Sequence, residues 1–188
     1  VSRTHPNLVK RLFEMEVPEI AGGKVLIKGI AREAGSRTKM AVHSTEVLID
    51  PVGACVGQRG DRVTRVVDEL RGEKIDIIKW NEDTATFVSA ALAPADVISA
   101  SMQADGKSCR VIVPDDQLSL AIGKEGQNAR LAARLTGFKI DIKSETQARE
   151  AGDFFDYENE YEDDEYYDED GGYNDADYQD DTEYSEEN

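Results

Sequence analysis

The feature that most constrains this chain is an internal duplication. The stretch VGQRGDRVTRVVDELRGEKIDI begins at Val56, and IGKEGQNARLAARLTGFKIDI begins 66 residues later at Ile122. Each copy runs through an apolar residue, Gly-x-x-Gly, a segment of helical periodicity, a short turn and the tetrapeptide Lys-Ile-Asp-Ile. One supersecondary unit is therefore expected twice.

The flanking residues extend both copies in the same order. Pro6 opens the NLVKRLF segment, which places Leu8, Val9, Leu12 and Phe13 on one helical face. Gly22 and Gly23 break that pattern, and KVLIKGIARE and TKMAVHS read as two strands joined by AGSR. A short helix from Asp50 to Cys55 leads into the Gln58-Arg59 turn. The helix from Asp61 to Leu70 carries Val63, Val66, Val67 and Leu70 as a buried stripe, and KIDIIKW is the closing strand. In the second copy DTATFVSAALAPADV gives a helix ending near Pro94, VISASMQ and KSCRVIV form a hairpin, and DDQLSLA is the short helix. A helix from Asn128 to Thr136 capped by Gly137 and the strand FKIDIK complete it. Each unit predicts helix, strand, strand, helix, GxxG, helix, strand, an α+β layer sandwich made twice.

Residues 1–80 and 81–146 are the expected domains. Between Lys79 and the helix expected near Thr84 only Trp80, Asn81, Glu82 and Asp83 intervene. So short a link excludes independent tumbling, and a fixed tandem is expected with Trp80 and the Ala91–Ala95 segment at its interface.

Charge decides what the body can bind. The net charge of -17 is an average over unlike parts: residues 150–188 contain 19 acidic groups and no Lys or Arg, leaving 22 basic against 20 acidic in the first 149. Residues 147–188 are expected to be a disordered acidic tail, too charged and too poor in aliphatic residues to build a core. The body is mildly basic.

Cys55 and Cys109 are the only cysteines. With neither a disulfide framework nor a second ligand at metal-site spacing, a reducing compartment is expected, with no metal and no cofactor. His5 and His43 are isolated and read as structural or solvated. No apolar run approaches the roughly 20 residues of a membrane span, and the polar, helix-patterned beginning is unlike a signal peptide. A cytoplasmic protein without a membrane partner is expected. The chain begins at Val1 rather than Met, as an excised fragment would.

The chemistry lies in the GxxG turn. Glycine allows positive φ and close backbone approach, and the helix after the turn aims its unpaired N–H groups and positive dipole end at whatever occupies it. Such a site favours a phosphate chain. Nucleotide turnover is a poor fit, because neither turn extends to GxxxxGK[ST], no strand leads directly into either, and no acid–base pair or nucleophile accompanies them. A duplex-DNA reader would carry a more strongly basic footprint. A binding module for a phosphate chain is the expectation, and not an enzyme.

The two units resemble K-homology (KH) domains of the prokaryotic type (type II), each a three-stranded sheet with helices on one face, whose GxxG loop clamps about four nucleotides of single-stranded nucleic acid. More closely, EVPEI at Glu16, IAREAGSRTKMAV at Ile30, DPVGACVGQRG at Asp50, ELRGEKIDI at Glu69 and AIGKEGQNARLAARLTG at Ala121 resemble the tandem KH region of the bacterial NusA family of transcription elongation and termination factors. The resemblance covers residues 2 to 146. It implies a role in pausing, termination and antitermination, with nascent RNA as ligand. RNA polymerase and other antitermination factors would be partners through a full-length chain, since the resemblance does not reach that family's polymerase-binding and S1 domains. A monomer is expected.

Carried onto this sequence, the RNA-binding loops are Gly57, Gln58, Arg59 and Gly60, and Gly123, Lys124, Glu125 and Gly126. Arg59 and Lys124 would meet phosphates. Glu125 reads as solvated or as an acceptor for a base amine. Val56, Ile122 and the strand isoleucines would floor an apolar groove. Arg62 with Arg65, and Arg130 with Arg134, lie at helical spacings on polar faces beside the loops. Gln127 and Asn128 open the second helix, where an amide caps the helix or reads a base edge; capping is expected of Asn128.

Overall fold

The computed structural model describes residues 2–153. The acidic tail expected to be disordered lies, from residue 154 on, outside the described residues.

Helix α1 (Pro6–Glu16) starts where the His5 side chain accepts the Asn7 amide and Pro6 pre-sets the first turn. It buries Val9 and Phe13 on the expected face. The short α2 (Pro18–Ala21), unforeseen in the sequence, leads to strand β1 (Val25–Glu33), which pairs antiparallel with β2 (Arg37–Ser44). Strand β3 (Lys74–Lys79) then pairs with β2 in parallel, giving the order β1-β2-β3. A parallel pair needs a crossover, and α3 (Pro51–Val56), the first GxxG turn and α4 (Asp61–Glu69) are that crossover. The loop is thereby held on the helical side of the sheet. Val9, Phe13, Val17, Met40, Val42, Cys55, Val66 and Leu70 close the core beneath it. Val67, expected in the same stripe, is only half-buried.

The second domain repeats this plan. Its elements are α5 (Thr84–Ala91), β4 (Ser99–Met102), β5 (Ser108–Val113), α6 (Leu118–Ile122), α7 (Gln127–Thr136) and β6 (Lys139–Ser144). The sheet order is β4-β5-β6, with the first pair antiparallel and the second parallel. A further helix, α8 (Glu145–Glu150), follows from a capping box between Ser144 and Gln147. Its Ala148 is fully buried, so packed structure continues past the boundary expected at residue 146.

Alternation along β2 explains how the domains join. Met40 and Val42 point into the first domain's own core, whereas Ala41, with Ile78, belongs to a cluster with Phe87, Val88, Ala91, Leu92 and Ala95 of the second. Trp80 packs on that cluster, its ring meeting the edge of His43. Helix α7 lies against β1 and β2, where a Cβ on Gly29 would stand 3.4 Å from Leu135 Cδ1. The first sheet is therefore covered on both faces, by its own helices and by the second domain.

A buried charge crosses the same joint. Lys39, fully buried, donates from Nζ to Asp76 Oδ2 (3.0 Å) and to the Ala93 carbonyl (2.7 Å). Burial pushes the Lys39 ammonium below its usual range, against the opposing pull of Asp76. Burial works against the charged form of Asp76 too, but the Arg37 and Lys39 contacts overcome it and hold this carboxyl low. Each charge is kept because the other is there.

Candidate nucleic-acid interface

The two GxxG turns have one backbone conformation. Gly57 (φ 77°, ψ 179°) corresponds to Gly123 (φ 79°, ψ 168°), and Gly60 (φ 79°, ψ 14°) to Gly126 (φ 73°, ψ 16°). Between them Arg59 (φ 54°, ψ 24°) and Glu125 (φ 55°, ψ 24°) both sit in the left-handed region, at a cost on the order of 1 kcal/mol for a residue with a Cβ. Residues of opposite charge thus share one strained geometry, so the backbone and not the side chain defines the turn. A right-handed residue followed by a left-handed one gathers successive N–H groups into a concavity that accepts anions. The helices that follow start at Gly60 and Gly126 with no side chain capping them.

The first glycine of each turn is also a packing requirement. A Cβ on Gly57 would meet Asp61 Oδ1 and Arg62 Cγ, and one on Gly123 would fall 2.8 Å from the Asn128 backbone nitrogen. No other residue fits.

Side chains on the rim divide into two groups. Gln58, Arg59, Lys124 and Glu125 are exposed, and among the described residues neither Arg59 nor Lys124 has a charged partner. Beside them Val56 is half-buried, Ile122 is 39% exposed and Leu120 is 43% exposed; Ile75, Ile77, Ile140 and Ile142 are half-buried. The strand isoleucines pack against the two cores, so the accessible apolar surface adjoining the turns is limited to Val56 in the first domain and Leu120 and Ile122 in the second.

The remaining residues expected on the RNA are engaged within the fold. Arg62 Nη1 donates to Glu19 Oε2 (2.8 Å) and to the Ala54 carbonyl (2.6 Å). Arg65 pairs with Glu16. Gln127 Nε2 donates to Glu33 Oε2 and Ser36 Oγ, both at 2.7 Å. Arg130 donates from Nε to Glu33 Oε1 (2.6 Å) and from Nη1 to the Glu125 carbonyl (3.1 Å). Arg134 lies 3.9 Å from the same carboxylate. These contacts, the Arg130 hydrogen bond first, hold the Glu33 carboxyl down to about 2. A polar helix face that looked outward in the sequence lends Gln127, Arg130 and Arg134 to the seam between two domains, with both arginines still exposed to solvent along it.

Asn128 corrects the expectation most clearly. It neither caps α7, whose cap is Gly126, nor faces outward: it is 2% exposed and donates to the Leu92 (2.9 Å) and Ala121 (3.0 Å) carbonyls. Its amide nitrogen is consumed in joining α5, α6 and α7. Glu19 and Glu33, which organise these contacts, carry no local signal in the sequence; only the fold brings each to its partner.

Comparison with known proteins agrees with this architecture. Residues 3–80 match the family of NusA-like first KH domains, and residues 84–150 match that of NusA-like second KH domains. Over 152 residues the chain is 60% identical to the transcription termination/antitermination protein NusA of Halalkalibacterium halodurans, covering 81% of this chain and 40% of that protein. The protein of the same name from Bacillus subtilis is 58% identical over 165 residues, covering 88% of this chain and 44% of its own length. The chain spans about two fifths of the length of these relatives. The crystal structure of APE1850 shares the fold, with a TM-score of 0.52 at 21% identity, over 73% of this chain and 97% of that one. With both halves of the tandem matched in order and each carrying its GxxG turn between two helices, the chain belongs to the NusA family, of which it carries the first and second KH domains.

Proposed function

We propose that this tandem is the single-stranded RNA-binding module of a cytoplasmic transcription factor, holding nascent RNA along its two GxxG loops and modulating polymerase pausing, termination and antitermination. The observation that carries this reading is the shared left-handed backbone of the two turns, each with a basic side chain, Arg59 or Lys124, exposed on its rim. Phosphates meet the loops' N–H groups and these cations. Bases lie over the apolar strip formed by Val56 in one domain and by Leu120 and Ile122 in the other. The names of the curated relatives support the place in transcription. Contacts with the polymerase and with other factors belong to a longer polypeptide, and the RNA-binding tandem acts as a monomer.

The joint supports one track rather than two separate sites, because Glu33, Lys39 and the shared apolar cluster fix the domains to each other. The test is a footprint on short single-stranded RNA beside duplex DNA of equal length. Protection of roughly eight or more nucleotides of RNA, with weaker duplex binding, is expected when both loops engage at about four nucleotides each. Protection of about four would mean that a single loop binds, and preference for the duplex would overturn the reading.

A further inference from the structure

Each GxxG turn is spanned by a side chain five residues beyond its first glycine. A Cβ on Gly57 would fall 3.0 Å from Arg62 Cβ, and one on Gly123 would fall 2.9 Å from Asn128 Cβ. Both side chains then reach back across the turn. Arg62 Nη1 donates to the Ala54 carbonyl of α3, and Asn128 Nδ2 donates to the Ala121 carbonyl of α6. In each domain a donor on the helix after the loop ties down the end of the helix before it. The tie joins the two helices that flank the loop.

The anchors behind the two ties differ. Asn128 is buried and gives its second Nδ2 hydrogen to the Leu92 carbonyl, while its buried Oδ1 has no hydrogen-bond partner among the described residues. Arg62 is about a quarter exposed and is steered by a carboxylate, Glu19 of α2, at 2.8 Å. Arg62 stands beside the first turn and is a tempting phosphate ligand, but its Nη1 is already shared between Ala54 and Glu19.

We propose that Glu19, acting through Arg62, is a positioning residue for RNA at the first loop. The inference rests on the RNA-binding reading of that loop. It makes a prediction whose sign is opposite to that of simple electrostatics. A carboxylate near bound phosphate repels it, so its removal strengthens binding if Arg62 is a ligand that Glu19 merely occupies. If Glu19 holds the loop in shape, its removal weakens binding although a negative charge has been lost.

The experiment measures single-stranded RNA affinity of the full chain carrying Glu19→Ala, with Glu19→Gln as a near-isosteric second variant that keeps an acceptor oxygen for Arg62. It runs beside a loop control carrying Gln58→Asp and Arg59→Asp. Glu19→Ala is expected to weaken binding about two- to fivefold, the range of a partly exposed ion pair, with Glu19→Gln between it and the parent. Without RNA, the amide resonances of residues 57–60 shift in Glu19→Ala while those of residues 123–126 stay in place. Equal or tighter binding by Glu19→Ala overturns the proposal, as does weaker binding with unmoved loop amides. If Glu19→Ala does not fold, the same readouts on Glu19→Gln decide in the same way. A loop control that binds like the parent overturns instead the RNA reading of that loop.

Discussion

Glu33 Oε1 accepts the Arg130 Nε–H at 2.6 Å, and this contact ties strand β1 of the first domain to helix α7 of the second. Gln127 takes the other oxygen of the same carboxylate, and Arg134 lies 3.9 Å from Oε1. Three side chains of the helix that follows the second GxxG loop therefore converge on one acid of the neighbouring domain. An acid outside the second domain thus anchors the helix that follows its loop.

Replacing Glu33 with Ala should loosen the joint. The thermal midpoint is expected to fall by a few degrees, since the contacts are partly exposed. The pH dependence follows from the sign of the shift. A carboxyl held at about 2 in the fold contributes stability that is present above its unfolded value of about 4.3 and is lost as pH falls from there towards 2. Unfolding midpoints measured across that window should converge for the parent and Glu33→Ala as pH falls.

Lys39→Met keeps the volume at the centre of the joint but removes the donor to Asp76 and to the Ala93 carbonyl. Asp76 retains Arg37 as a partner. A loss of about 1–3 kcal/mol in urea unfolding is expected, below that of a buried charge left wholly unpaired.

Cys55 lies fully buried on the core face of α3, and burial pushes its thiol up to about 12. The folded protein should therefore leave Cys55 unmodified by iodoacetamide at about pH 8, with reaction only after unfolding. Mass spectrometry of the alkylated protein, with and without denaturant, reads this directly.

The two glycines of a turn should differ in tolerance. Gly126→Ala meets no atom within 4 Å and bears only the left-handed strain, about 1 kcal/mol. Gly123→Ala adds a clash with the Asn128 backbone to a conformation near φ 79°, ψ 168° that only glycine commonly adopts, so it should cost about 3 kcal/mol or more. Denaturant titration of both variants gives the comparison.

Much of the fold is legible in the sequence because its signals are local. Glycines mark the turns, apolar periodicity separates strands from helices, and the duplication confirms each reading with a second copy. Helix α2 escapes because the four residues from Pro18 to Ala21 are too few for a period to show. Helix α8 escapes because its six residues adjoin the acidic run, whose composition masks a single buried alanine. The turns themselves are recognisable, since only their glycines permit the geometry. The fate of Gln127, Asn128, Arg130 and Arg134 is not, because whether a polar helix face meets water, RNA or another domain depends on Glu33 and Leu92, far away along the chain. Charge spacing alone cannot distinguish a wet face from a seam.

The most direct measurement is the affinity of the full chain for single-stranded RNA after acidic replacement of each loop's central pair, at about 100 mM salt where phosphate contacts remain strong. Gln58→Asp with Arg59→Asp, and Lys124→Asp with Glu125→Asp, leave all four glycines in place and touch only exposed positions. Each pair is expected to weaken binding by about tenfold or more while the thermal midpoint stays near that of the parent. RNA affinity equal to the parent's in either variant would contradict the account, and would reduce that loop to a connector between two helices.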